Sequence, residues 1–278
     1  MKYTLYTGCM IPVTAPHYEV SAKKVCESLA IELEPLKAPC CGNPIKVVNA
    51  SEAAKMALYI LWLASERENC VMTLCSACTS SLLHAQKKVD KKFLDQLNVD
   101  AETIQNVRVK HFIKVLHEDI GLKTIEKNIK IPINAKAAVH YGCHFHRPSS
   151  LYTEDPEYPH SLDELAEICG AHSIEYRRKS MCCGSPLMGV DFDVSLKMTS
   201  KKLQDIKNAA DFMVVTCPGC AFMFDGKQKS VESITGELNI PVLFYSQVLG
   251  LALGIPPEEL GFSMNRVRVD SLLEKVLP

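Results

Sequence analysis

Short apolar and β-branched runs at residues 3–7, 71–74, 137–141 and 212–216 read as strands, and each stops at a cysteine or at the glycine before one. Longer stretches of helical character separate them, at 18–33, 51–68, 79–97, 162–168, 194–209 and 241–253, with Ser51 placed to cap the second. Strand–helix alternation predicts an α/β fold with small, mainly parallel sheets. In such sheets ligands gather beyond the carboxyl ends of the strands, and the cysteine groups fall there. The all-apolar run 56–64, which holds Trp62, is hydrophobic nearly all round and predicts a buried helix. It is far shorter than the ~20 residues that cross a bilayer, so no direct membrane span is expected.

The cysteines carry a second, longer pattern. Ten of the thirteen spell Gly-Cys, then Cys-Cys-Gly-x-Pro, then Cys-x-x-Cys, twice over: Cys9, Cys40, Cys41, Cys75 and Cys78, then Cys143, Cys182, Cys183, Cys217 and Cys220. The spacers are 30 and 33 residues in the first copy and 38 and 33 in the second. The repeat extends to Val115-Leu116 with Gly121, matched by Val248-Leu249 with Gly254. An internal duplication accounts for this. The polar stretch 123–136 then reads as a linker, and 149–160 as a surface insertion that lengthens the second copy's first spacer. The predicted domains are 1–130 and 131–278, two similar α/β units.

Composition narrows the chemistry. With 31 basic and 32 acidic residues among 278, the chain has no surplus charge to mark a nucleic-acid or membrane surface. Residues 1–12 mix Thr, Tyr and Gly where a secretory signal needs an apolar core, which predicts a cytoplasmic protein. Thirteen cysteines in a reducing compartment point to metal or redox chemistry rather than to disulfide staples.

Each Cys-x-x-Cys places two sulfurs within reach of one metal, and alone it fits a zinc half-site, an iron–sulfur ligand pair or a thiol–disulfide couple. The adjacent pair is more demanding, because neighbouring side chains on an extended strand point to opposite faces. Both thiols reach one centre only if the backbone turns sharply, and Gly42 with Pro44, and Gly184 with Pro186, supply that turn. Five thiolates per half exceed what one zinc ion or one cubane cluster needs. Cys26, Cys70 and Cys169 have no partners in the repeat and read as buried, inert thiols.

The double Cys-Cys-Gly pattern, with the opening Gly8-Cys9-Met10-Ile11-Pro12, resembles the CCG domains of the heterodisulfide reductase B-subunit family. The resemblance implies that Cys9, Cys40, Cys41, Cys75 and Cys78 hold one noncubane 4Fe–4S cluster and that Cys143, Cys182, Cys183, Cys217 and Cys220 hold a second. It further implies two pseudo-twofold-related domains with the clusters facing each other at their interface, in a catalytic oxidoreductase subunit of methanogenesis that reduces the coenzyme M–coenzyme B heterodisulfide to two thiols between them. The partners it implies are two further members of the same complex, one ferredoxin-like and one flavin-containing. An anionic substrate of this kind needs cationic or hydrogen-bonding contacts, and His144, His146 and Arg147 stand beside Cys143 to provide them. The run Arg177-Arg178-Lys179 is also cationic, but basic runs more often face water or another protein.

Two other classes of function fit the same residues. CCG domains also occur in iron–sulfur electron-transfer subunits of glycolate, lactate and glycerol-3-phosphate oxidation and of some succinate–quinone reductases. A zinc-stabilised assembly module is the non-catalytic alternative, separable by its metal content. The chain contains neither a C-x-x-C-x-x-C-x-x-x-C-P ferredoxin run nor a G-x-G-x-x-G nucleotide fingerprint.

Overall fold

The computed structural model describes residues 1–67 and 70–277. Two four-stranded sheets organise it. In the first, β1 (Lys2–Tyr6), β2 (Glu32–Pro35), β3 (Cys70–Thr73) and β4 (Val109–His111) lie in the order β2-β1-β3-β4. In the second, β5 (Ala135–His140), β6 (Ala171–Ser173), β7 (Phe212–Val215) and β8 (Val242–Phe244) lie in the order β6-β5-β7-β8. Every pairing is parallel, with Tyr6 opposite Thr73 and His140 opposite Val215. The fold is therefore α/β, built as two similar units.

The central strands β3 and β7 are buried on both faces, as parallel strands covered by helices must be. The helices that follow the two Cys-Cys-Gly turns are equivalent. Ala50–Ser65 is capped by Asn49, whose side chain accepts from Glu52 N–H at 3.1 Å, and Phe192–Ile206 by Asp191, which accepts from Val194 N–H at 2.9 Å. Each cap stabilises its helix by about 1 kcal/mol.

Several predicted elements change. The cap of the first of these helices is Asn49 rather than Ser51, and the Glu68 end of the predicted segment lies outside the described residues. The predicted helix 18–33 ends at Ser28, and β2 occupies its tail. The stretch 79–97 divides into Ser76–Lys87 and Lys91–Gln96, because Asp90 starts a new helix by accepting from Phe93 N–H at 3.2 Å. The segment 241–253 opens as strand β8 before becoming the helix Tyr245–Ala252. The linker read at 123–136 contains helix Leu122–Glu126 and the start of β5. Trp62 is only half-buried, packed against the edge of the core.

The two units meet along a closed seam. The helix Pro16–Ser28 packs on Tyr245–Ala252, where the Ser21 and Ser246 hydroxyls meet at 2.6 Å. On the other side of the seam the segment predicted as a surface insertion folds back onto the first unit. Its Glu154 is buried, accepts from the N–H groups of His160 and Ser161 at 2.7 Å each, and pairs with Lys114 of the first unit. Among the described residues no helix is long and apolar enough to cross a membrane.

Candidate metal centre

In each sheet the chain leaves the central strand toward one edge and returns to the opposite side. The crevice between β1 and β3, and that between β5 and β7, is therefore a switch point at the carboxyl ends of the strands. Cys9 and Cys75 leave the two lips of the first crevice, and Cys143 and Cys217 those of the second. The paired Cys40-Cys41 and Cys182-Cys183 arrive from the loops after β2 and β6.

The turn glycines show why each group holds its shape. Gly42 and Gly184 sit at φ +79° and +97°, and a Cβ there would lie 2.6 Å from Ala53 O and 2.7 Å from Ser195 O respectively. The two positions are equivalent in the repeat, so the same backbone contact is built twice. Gly8 and Gly142 also have positive φ, and a Cβ on Gly8 would stand 2.8 Å from Cys78 Sγ. Glycine leaves that space free beside the sulfurs.

All thirteen cysteines are free thiols, and the ten of the repeat fall into two sets. Cys9 Sγ lies 3.4 Å from Cys40 Sγ, and Cys78 pulls the neighbouring Cys41 thiol down. In the second set Cys182 pushes the Cys143 and Cys183 thiols up, and Cys220 pulls Cys183 back. Cys75 and Cys217 face each other across the seam closely enough that each shifts the other's thiol, Cys75 upward and Cys217 downward. Thiolate is favoured at chosen sulfurs: hydrogen bonds from Cys143, Cys183 and the Gly184 N–H pull Cys182 far down, the last at 3.4 Å. Hydrogen bonds from Cys220 and Cys75, with N–H groups at the start of the following helix, do the same for Cys217.

This donor set fits an iron–sulfur group. It is all sulfur, it is lined by glycines where a side chain would intrude, and the hydroxyl of Ser76 within Cys75-x-x-Cys78 is buried without a partner among the described residues. Among the described residues no three Cys, His, Asp or Glu side chains converge as a single metal ion requires.

Cys26, Cys70 and Cys169 lie apart from both sets and are buried. Burial pushes their thiols up to about 12, 11 and 12, and Cys169 contacts the Tyr245 hydroxyl at 3.5 Å.

The residues after Cys143 diverge. His144 lines a cavity of about 170 Å³ at the seam, together with Ser76, His111 and Tyr152, and its Nδ1 is 3.5 Å from Cys143 Sγ. His146 is buried and neither ring nitrogen has a partner among the described residues. Arg147 turns outward to Glu157 at 3.2 Å. Arg178 pairs with Asp205, and Lys179 with Asp163 at 2.7 Å and Glu175 at 2.6 Å, so carboxylates occupy both cations.

Two residues that no motif marks stand beside the second set. His140 Nε2 is 3.3 Å from Cys220 Sγ, and Lys202 Nζ is 2.9 Å from His140 Nδ1. A signal for them does exist in the sequence: aligning the copies through their equal 33-residue spacers sets Lys202 against Ile60, a charge opposite a core residue.

The family model for the cysteine-rich CCG domain matches twice, at residues 3–83 and 137–225. The B subunit of the ferredoxin:CoB-CoM heterodisulfide reductase of Methanosarcina mazei is 34% identical, over 99% of this chain and 97% of that protein. The 8-methylmenaquinol:fumarate reductase membrane anchor subunit of Wolinella succinogenes is 28% identical over 98% and 99%. A solved structure of a hypothetical protein from Helicobacter pylori shares the fold with a TM-score of 0.77 at 16% identity, covering 96% of this chain and 52% of that one. With two CCG domains, and a third of all positions shared over nearly the full length, the chain belongs to the heterodisulfide reductase B-subunit family of iron–sulfur proteins.

Proposed function

We propose that the two thiol sets hold two noncubane 4Fe–4S clusters, and that the chain is the catalytic subunit that reduces the coenzyme M–coenzyme B heterodisulfide. The carrying observation is that the seam closes beside both donor sets: Tyr18 of the first unit donates to Thr216 O, next to Cys217, at 3.2 Å, and Cys75 and Cys217 lie close enough to shift each other's thiols. Reduction of a disulfide consumes two electrons and two protons and yields two thiols. Clusters at these sites would supply the electrons singly, so two equivalent sites match the stoichiometry.

The chain's own residues shape the site around that chemistry. The glycines keep side chains away from the sulfurs, and His144 faces the seam cavity as a polar contact for an anionic substrate, while the buried His146 and its two unpartnered ring nitrogens follow two residues on. The outward turn of Arg147 suits a contact at the substrate's entrance. Electrons arrive from a ferredoxin-like partner, which a flavin-containing partner supplies in turn, within one cytoplasmic complex. The unit boundary falls near residue 130.

The test is metal analysis of anaerobically prepared protein, followed by disulfide reduction with an artificial reductant by variants Cys78→Ser and Cys220→Ser. About eight irons per chain and near-complete loss of activity in both variants are expected. Zinc in place of iron returns the assembly-module reading. Full iron without disulfide reduction leaves an electron-transfer role, of the kind that the fumarate reductase relative's name suggests.

A further inference from the structure

The two units differ in chemistry at a pair of positions that the repeat matches. In the first, the Tyr6 hydroxyl donates at 2.7 Å to Pro39 O, the carbonyl just before Cys40-Cys41. In the second, the equivalent carbonyl, Met181 O, receives its hydrogen bond from Lys202 Nζ at 2.5 Å. Tyr6 has become His140 and Ile60 has become Lys202, at unchanged spacing. Lys202 is 1% exposed, and so is His140.

The lysine does more than replace the tyrosine's hydrogen bond. An ammonium has donors only, so its 2.9 Å contact makes His140 Nδ1 the acceptor and leaves the ring proton on Nε2. That N–H then points at Cys220 Sγ, 3.3 Å away. Phe224 packs edge-on against the ring at 5.0 Å between centroids and holds its plane. Lys202 Nζ faces three acceptors, Met181 O at 2.5 Å, His140 Nδ1 at 2.9 Å and Lys179 O at 3.2 Å, one for each donor of an ammonium. The first set has neither an imidazole donor nor a buried cation at the matching positions.

Resting on the cluster reading above, we propose that Lys202, acting through His140 as a positioning residue, makes the two centres unequal, so that the one held by Cys143, Cys182, Cys183, Cys217 and Cys220 accepts an electron first. Hydrogen bonds to cluster sulfurs and nearby positive charge both raise a cluster's reduction potential, and both act here in the same direction.

The experiment is a potentiometric titration of the full chain, reconstituted with iron and sulfide and followed by electron paramagnetic resonance. Signals are assigned to each half with the Cys78→Ser and Cys220→Ser variants. The wild type is expected to reduce its second centre at the higher potential. Lys202→Met is expected to lower that centre's reduction equilibrium at least tenfold, 59 mV for one electron, with the first centre unmoved. Lys202→Arg is expected to recover most of the difference. A second measurement guards against a lysine variant that does not fold: with nitrogen-15-labelled histidine, a histidine nitrogen coupled to the second centre, retained in His144→Ala, and none coupled to the first is expected. Equal potentials in the wild type, no histidine nitrogen coupled to the second centre once His144 is replaced, or an equal shift of both centres in Lys202→Met would overturn the proposal. Failure of the chain to bind iron at all would instead overturn the cluster reading.

Discussion

The Tyr18 ring of the first unit lies flat on the Phe244 ring of the second, with centroids 4.0 Å apart and planes within 11°. Its hydroxyl continues to Thr216 O at 3.2 Å, next to Cys217. One side chain thus ties the seam to the backbone that carries a site cysteine. Tyr18→Phe keeps the stack and loses the hydrogen bond, and is expected to cost about 1 kcal/mol in denaturant unfolding of the loaded protein. Tyr18→Ala also removes a buried ring and is expected to cost roughly 3–5 kcal/mol. Equal midpoints for the two variants would show that the stack contributes nothing.

Gly8 and Gly142 occupy matched turns with unequal room. A methyl group at Gly8 meets Cys78 Sγ at 2.8 Å, whereas at Gly142 it stands 3.4 Å from Cys220 Sγ. Both sites have φ in the left-handed region, so either alanine costs about 1–2 kcal/mol of stability. Only Gly8→Ala is expected to lose iron, about half of the total, as measured by iron assay after desalting. Equal iron loss from Gly142→Ala would mean that backbone strain, not crowding at sulfur, decides loading.

Glu154 is a buried carboxylate on the strap between the units. Burial alone raises its pKa, but Lys114 and the N–H groups of Ser161 and His160 outweigh this and hold it at about 2. A depressed carboxyl contributes stability that is full above its ordinary pKa and is lost as the pH falls toward the folded value. Glu154→Gln is therefore expected to destabilise by roughly 1–3 kcal/mol at pH 7, the difference shrinking as the pH falls from about 4.5 toward about 2. The check is the pH dependence of the unfolding midpoint in wild type and variant, and parallel curves over that range would contradict the assignment.

The unmatched cysteines provide a separate test of the ligand sets. Replacing Cys26, Cys70 or Cys169 by Ala is expected to leave the iron content unchanged at a modest cost in stability. Cys75→Ala is expected to lose its centre. Iron loss from Cys70→Ala comparable to that from Cys75→Ala would reassign the ligands.

How much of this is visible in the chain alone follows from where each residue sits. The strands leading to Cys9, Cys75, Cys143 and Cys217 announce themselves because burial on both faces makes them continuous apolar runs. Edge strand β2, Glu-Leu-Glu-Pro, is largely solvated and ends in proline, so it carries no such run and merges with the helix before it. Strand β8 is hidden for the opposite reason, since its apolar residues run without a break into the buried helix Tyr245–Ala252. The thiol sets are readable from their repeat, whereas the contact of Lys202 with His140 joins residues 62 positions apart and follows only from the fold.

The arrangement of the seam also orders the molecule's birth. On the ribosome the first sheet has all its strands once His111 has emerged, yet the face of helix Pro16–Ser28 that carries Tyr18 and Ser21 has no partner until residues 242–252 arrive. Throughout that interval Tyr18, Ser21 and the rim bearing Cys75 face water, so the first five thiols stand open to whatever delivers metal to a nascent chain. The second five come together against a neighbour that is already complete.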